Sequence, residues 1–488
     1  MKTIYHLLFV FGLLMAVCSC SKTDYQNTIP ANATLVAKVD VRTVAEKWDL
    51  AHSDVMKNLD IYLKLLVSSK DMEQAKGYID DPMQMGFDFT MPVFFFKMPD
   101  GSMGLTMKVN DDGDVKDFLM LLQKQGLASK PVERHDLMCG TLMGDFHYAY
   151  DGKTFLLLSS EGGSSRVGQM AQQLMNQKED ESFVSTDAYG KLEHETTEVV
   201  CYSKLLALPL PVYTYVRHLL MLPNSVRESD IDMLATMSLD KRKEAFHCMA
   251  WGNTEKAQQL LEETNKNLHK IQGRYIDKAS EDLPIWLSLG VKGEWLLQKL
   301  KGDKKAKEVL FLLERAIDVE QMLKAVDGDV TVGLSQHVFD GNTDDFVAYA
   351  QLKNTDFLQD VDYWEASMKE YGMSMQDDGN HHYVLHAEGK VWQWGVDGND
   401  LYYAADGTRS RLENTPNTKL KAYEAEMKNN WLFLYLDMAK MGWEKKLRGR
   451  AAMLGKALVG DIESIIVKSS AANEVDVVIE VKEKQGNN

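Results

Sequence analysis

Asp-Gly pairs constrain the fold of this chain more than any other feature of its sequence. They begin at Asp100, Asp112, Asp151, Asp327, Asp340, Asp378, Asp397 and Asp406. Asp-Gly favours the two-residue turns of β-hairpins, because glycine adopts the positive φ angles of these turns at little cost. Apolar runs at 92–96, 155–158 and 401–403 lie close to such pairs and are typical of strands. The sequence therefore predicts sheets that are mainly antiparallel.

Amphipathic segments occur between the strand-like runs. Residues 53–66 begin at Ser53, which is a plausible N-cap, and carry apolar residues at helical spacing. A mixture of such helices with antiparallel hairpins predicts an α+β fold with helices packed on the sheets.

The first twenty residues resemble an export signal that ends in a lipidation site. Lys2 precedes an apolar run at 4–17, which is shorter than the roughly 20 residues needed to span a bilayer. Bacterial lipoprotein signals resemble Val17-Cys18-Ser19-Cys20, with Cys20 as the lipidated residue. Cys18 fits less well as the acceptor, because Val17 is bulky where a small residue is expected. The alternative is an ordinary signal peptide with a chance cysteine.

Ser21 follows Cys20, and no aspartate stands there to indicate retention in the inner membrane. The outer membrane is therefore the expected location. Whether the protein faces the periplasm or the medium stays open.

The two halves of the chain carry similar patterns. Leu35 begins an alternating strand pattern that recurs at Leu287, and later similarities in the same order include Tyr202 with Leu436. A duplicated unit explains this order. We predict a signal peptide at 1–19, a lipid-anchored tether at 20–28, a first α+β repeat at 29–253, a helical connector at 254–281 and a second α+β repeat at 282–488. In the connector, apolar residues from 260 to 275 are expected to share one helix face.

Charge excludes one class of function. The chain has 72 acidic and 55 basic residues and a formal net charge of −17, so it should repel nucleic acid. With Cys20 lipidated, Cys139, Cys201 and Cys248 remain, and their spacing matches no zinc or redox pair. A Cys201–Cys248 disulfide is left open as an alternative to two buried thiols.

Three segments carry a resemblance to a known family. Residues 29–36 (IPANATLV), the stretch from Asp81 to Phe96, and residues 326–330 (VDGDV) resemble recurring elements of a large family of Bacteroidetes lipoproteins of unknown function. The resemblance implies a Bacteroidetes origin and an exported lipoprotein. It offers no catalytic or binding residues to transfer.

The search for catalytic and metal-binding motifs favours none. Residues 194–198 (HETTE) lack the second histidine of the helical zinc motif. The histidines of 381–386 (HHYVLH) are too far apart along a strand to share one metal without a bend. Residues 110–114 (NDDGD) lack the spacing of a calcium loop. Trp392 and Trp394 share one strand face and are the candidate binding residues, as a sugar platform, although aromatic packing over a sheet is the commoner arrangement.

We therefore expect an outer-membrane lipoprotein that acts as a non-enzymatic binding or scaffold protein. The alternatives are a carbohydrate-binding accessory protein that uses Trp392 and Trp394, and a glycan or peptide hydrolase whose site is assembled from distant residues. No cofactor is expected. The membrane is the expected partner through the lipid on Cys20, while the protein or glycan partner and the oligomeric state stay open.

Overall fold

The computed structural model describes residues 24–47, 67–159, 164–208, 210, 213, 217, 226–240, 242–302, 304–314, 317–336, 345–387, 389–405, 416–441 and 462–482. The chain divides into two compact units. One comprises residues 1–209 with 232–241, and the other comprises 210–231 with 242–488. By this division residues 242–253 belong to the second unit rather than to the first. The predicted helix at 53–66 and the predicted lipidation site at Cys20 lie outside the described residues.

An antiparallel sheet forms the centre of the first unit. Its described strands are β1 (Leu35–Val39), β2 (Val93–Lys97), β3 (Met103–Lys108), β4 (Val132–Arg134), β5 (Leu137–Leu142), β6 (Phe146–Tyr150), β7 (Thr154–Ser159), β8 (Val199–Lys204) and β9 (Ile231–Asp240). They pair in the order β9-β8-β1-β2-β3-β7-β6-β5-β4.

Alternation of side chains fixes which face of this sheet is buried. On β2, Phe94 and Phe96 are buried whereas Phe95 is 42% exposed, as the two-residue period of a strand requires. Val36 on β1 is buried between its cross-strand partners Phe96 and Tyr202. Opposite Phe96 stands Gly104, where a Cβ would lie 2.1 Å from the phenyl ring.

Helices cover parts of this sheet. They are α1 (Val41–Lys47), α2 (Met72–Asp80), α3 (Asp112–Lys124), α4 (Ser164–Met175) and α5 (Asp187–His194), with short 3-10 helices between them. Asp111 caps α3 by accepting hydrogen bonds from the amides of Gly113 and Asp114. The Asp112-Gly113 pair therefore begins a helix, and the hairpin predicted there is wrong because the preceding carboxylate is a strong N-cap.

The strands of the second unit also lie in antiparallel sheet. Its described strands are β10 (Lys243–Gly252), β11 (Ile285–Lys292), β12 (Val326–Leu334), β13 (Phe346–Leu352), β14 (Ser374–Gly379), β15 (His382–Ala387), β16 (Lys390–Asp397), β17 (Asp400–Ala405), β18 (Leu432–Asp437), β19 (Ile462–Ser469) and β20 (Glu474–Val481). They pair in the order β10-β20-β19-β18-β11-β12-β13-β17-β16-β15-β14.

The helices of the second unit pack beside this sheet. They are α6 (Glu255–Asn265), α7 (Gly293–Gly302), α8 (Lys304–Leu313), α9 (Val319–Ala325), α10 (Val361–Glu370), α11 (Thr418–Lys421) and α12 (Glu424–Lys428). Trp286 on β11 is fully buried and pairs across the sheet with Tyr435 on one side and Gly333 on the other. With helices and antiparallel sheet in both units, the α+β prediction is confirmed.

The predicted connector is helical only in part. Thr254 caps α6, but the helix ends at Asn265, so the apolar residues beyond it do not continue one helix face. Beyond the helix the backbone amides bond to other segments of the unit instead of to the preceding helical turn. The amide of Ile271 donates to the Asn430 carbonyl. The amides of Gln272 and Arg274 donate to the buried Asp329 carboxylate at 2.8 and 3.0 Å.

Candidate functional site

The two tryptophans predicted as binding residues lie on β16. Trp394 is only 7% exposed, and its ring stacks on Tyr383 with centroids 4.4 Å apart. It also approaches Trp364 of α10, at 6.1 Å between centroids. Trp392 is half-buried. This packing favours a core role for Trp394, because a ring covered on its face by Tyr383 cannot offer that face to a sugar.

The histidines of 381–386 are not gathered around a common point. His382 Nδ1 lies 2.7 Å from the Tyr402 hydroxyl. Within the parts of the chain that the structure describes, no group of three or more His, Cys, Asp or Glu side chains is placed to hold a metal ion. No disulfide is present among the described cysteines Cys139, Cys201 and Cys248.

The segment that resembles a zinc motif contributes a structural carboxylate. Glu198 is buried, pairs with Lys47 and accepts a hydrogen bond of 3.0 Å from the Leu239 amide. Burial raises the pKa of Glu198, but the hydrogen bonds from Lys47 and from backbone amides outweigh it, so its pKa lies below the usual value. Glu198, which directly precedes β8, therefore links α1 to β9.

We expect Glu198→Gln to lower the free energy of unfolding at pH 7 by about 2 kcal/mol, since a charged hydrogen-bond partner of Lys47 is lost. A carboxylate whose pKa is depressed by folding stabilises the protein above its unfolded pKa, about 4.5, and loses this contribution as the pH falls further. The difference in the free energy of unfolding between Glu198→Gln and wild type should therefore become smaller below that pH. Urea unfolding at several pH values measures this difference.

Glu46→Gln is the matched control for this prediction. The Arg42–Glu46 ion pair has both side chains 64% exposed, and exposed pairs contribute roughly 0.5 kcal/mol or less. Equal losses in the two variants, or a difference that does not change with pH, would contradict the role given to Glu198.

A cleft in the first unit brings together residues that no sequence motif singles out. The hairpins β4–β5 and β5–β6 form one side of it, and α4, which packs on β6 and β7, forms the other. The turn from β4 to β5 places His135 and Asp136 at φ angles of 50° and 64°, the geometry of a type I′ turn. This turn presents Arg134 and His135 at the rim.

The volume of the cleft is about 660 Å³, within the range of small-molecule sites. Its buried lining includes Leu137, Tyr148 and Ala171. Its polar lining consists of hydroxyl, amide, imidazole and cationic side chains from Ser129, Lys130, Arg134, His135, Thr141, His147, Gln169 and Gln172. No aspartate or glutamate is among the residues that line it. A neighbouring hollow of about 790 Å³ shares Gln169 and Gln172 but is lined by Glu181 and by no lysine or arginine.

The cleft contains one thiol. Burial raises the pKa of Cys139, with Arg134 acting in the opposite direction. A thiol whose pKa is raised forms the nucleophilic thiolate less readily. The hydroxyl of Tyr148, which also lines the cleft, donates a 3.1 Å hydrogen bond to the Ser129 carbonyl.

In the described part of the chain, no helix combines the length and the apolar character needed to cross a membrane.

Solved structures of TP0453 are similar to part of this chain. Crystal form IV matches at 9% identity and a TM-score of 0.29, over 47% of this chain and 81% of that one. Crystal form I matches at 10% identity and 0.28, over 50% and 87%, and crystal form III at 11% and 0.29, over 50% and 88%. A likeness at this level carries no conclusion about function. No curated protein matches the sequence.

A family model matches residues 25–484. The predicted membership of a family of unknown function is thereby confirmed, whereas the Bacteroidetes origin and the lipid anchor stay predictions. On this match over nearly the whole sequence, the chain belongs to the family described as Domain of unknown function (DUF4836).

Proposed function

We propose that the protein is a lipoprotein anchored in the outer membrane of a Bacteroidetes cell, where it acts as a binding or scaffold protein rather than as an enzyme. The observation that carries the proposal is the apolar run at 4–17 followed by Val17-Cys18-Ser19-Cys20. A signal of this form directs export and supplies a cysteine for lipidation. Stable anchoring needs more than one acyl chain, as a bacterial lipoprotein carries.

The cleft in the first unit supports the binding role. It combines an apolar floor with a few polar groups that converge on one space, which is the usual make-up of a ligand site. Two further observations favour binding over catalysis: burial raises the pKa of the Cys139 thiol, and Glu198 is held by Lys47 and by the Leu239 amide.

Cys20→Ala should abolish lipidation and move the protein from the membrane to the soluble fraction, because the acyl chains supply the membrane affinity. Incorporation of labelled palmitate and membrane fractionation measure this. Cys18→Ala is the matched control and should keep both label and membrane association. Label retained in the Cys20→Ala protein would show that the anchor is elsewhere or absent.

We also infer that the two units are copies of one ancestral unit. Their strand orders support this, because adding ten to each strand number in the order β9 to β4 reproduces the order β19 to β14 of the second unit. A superposition of the two units from an experimentally solved structure tests it, and non-equivalent positions for β1 and β11 would overturn it.

A further inference from the structure

The cleft between α4 and the hairpins of β4, β5 and β6 differs in charge from the chain that contains it. The chain carries a formal net charge of −17, yet Lys130 and Arg134 line the cleft together with His135 and His147, and no carboxylate does. Lys130 and Arg134 are exposed, and neither is ion-paired within the described residues. An anion that enters the cleft therefore meets cations without displacing a protein carboxylate.

The remaining polar groups narrow the class of ligand. The amides of Gln169 and Gln172 and the hydroxyls of Ser129 and Thr141 can each donate and accept hydrogen bonds. Hydroxyl groups of a ligand need partners of this kind. The planar guanidinium of Arg134 is suited to two parallel hydrogen bonds with a carboxylate or a phosphate. The cleft volume of about 660 Å³ admits a molecule the size of one or two sugar rings.

We propose that this cleft binds a hydroxylated organic anion, namely a sugar acid or a sugar phosphate. The proposal rests on the binding role given to the protein above and names the ligand for it. Nucleic acid is not the ligand, because two permanent cations on a chain of this negative charge cannot balance a phosphodiester backbone.

Isothermal titration of the full chain, purified in detergent, tests the proposal with glucuronate, glucose 6-phosphate, glucose and inorganic phosphate. We expect at least one of the two anionic sugars to bind at least about 10-fold more tightly than either glucose or inorganic phosphate. An anionic sugar engages both the cations and the amides of the cleft, whereas glucose lacks the charge and inorganic phosphate lacks the sugar hydroxyls. The preferred sugar tells a carboxylate ligand from a phosphate ligand. Its affinity should fall as salt is added.

Arg134→Gln should weaken binding of the preferred sugar by about 10-fold or more. Lys130→Gln should weaken it less, because an ammonium lacks the planar fork. Arg42→Gln removes the same charge from α1 of the same unit and should leave the affinity unchanged. Arg134 and Arg42 are both exposed, so circular dichroism should show a normal fold in both variants.

Absence of binding by both anionic sugars overturns the proposal, as does equal affinity of wild type and Arg134→Gln. Binding of inorganic phosphate as tight as that of glucose 6-phosphate overturns the assignment of a hydroxylated ligand. None of these results bears on the lipid anchor, which palmitate labelling tests separately.

Discussion

Gly293→Ala is expected to destabilise the second unit by about 3 kcal/mol, because overpacking against backbone is hard to relieve. Gly293 is the buried first residue of α7. A Cβ at this position would lie 1.7 Å from the Leu323 carbonyl oxygen and 2.8 Å from the Val326 Cβ. That carbonyl accepts the hydrogen bond from the Val326 amide at the end of α9. The methyl group must therefore push α7 away from α9 or break the end of α9.

Gly302→Ala is the control at the other end of the same helix. Gly302 is the last residue of α7, and a Cβ there would have no atom within 4 Å. A helix is more stable with alanine than with glycine at one position by roughly 0.5–1 kcal/mol. The Gly302→Ala protein should therefore be as stable as wild type or slightly more stable. Urea unfolding followed by circular dichroism compares the two. Similar stabilities for both variants would contradict the close approach of α7 and α9.

Trp394→Ala is expected to destabilise the protein by roughly 3–5 kcal/mol, the usual cost of removing a buried tryptophan side chain. The indole is held between elements, since it stacks on Tyr383 of β15 and contacts Trp364 of α10. Its removal leaves a cavity that a sheet and a helix can close only by moving together. Unfolding in urea measures the loss.

Trp392→Ala, on the same strand, is the matched comparison for Trp394→Ala. Trp392 is half-buried, and we expect its replacement to lower the free energy of unfolding by less than half of the loss in Trp394→Ala. A smaller loss for Trp394 than for Trp392 would show that Trp394 is not a core residue.

Local turn chemistry made much of the sheet predictable. The pairs at Asp100, Asp151 and Asp397 lie between paired strands, as the Asp-Gly rule predicts. Asp327-Gly328 instead lies inside β12, at a break in register with Gly328 at φ 127°. That prediction was wrong because a glycine at positive φ can serve an irregularity inside a strand as well as a hairpin turn. The pairs at Asp340 and Asp406 lie outside the described residues.

The buried face of a strand was less predictable than the existence of the strand. Residues 432–436 (LFLYL) are all apolar, so no alternation shows which of them face the core. In the structure Phe433 and Tyr435 are buried, whereas Leu434 and Leu436 are half-buried. A shift of two residues keeps every side chain on its face, so binary pattern cannot choose between Leu287 and Ile285 as the counterpart of Leu35. The predicted matches between the two halves therefore stay predictions.

The candidate cleft could not be predicted from the sequence. Its lining comes from 129–148 and from 168–172, and no motif joins the two stretches. The turn at its rim, His135-Asp136, adopts positive φ angles without the glycine that usually signals a type I′ turn. The absence of carboxylates from the lining becomes visible only when the hairpins and α4 are placed together.

The strands β4 and β14, which end the strand orders given above, affect how closely packed molecules interact. β4 is three residues long, fully exposed and carries Glu133 and Arg134, and β14 carries Asp377 and Asp378. Among the described strands, β4 pairs with β5 alone and β14 with β15 alone. Short or charged edges discourage the addition of a strand from another molecule. Molecules held close together on a membrane by the proposed lipid anchor would therefore resist growing into fibrils through these edges.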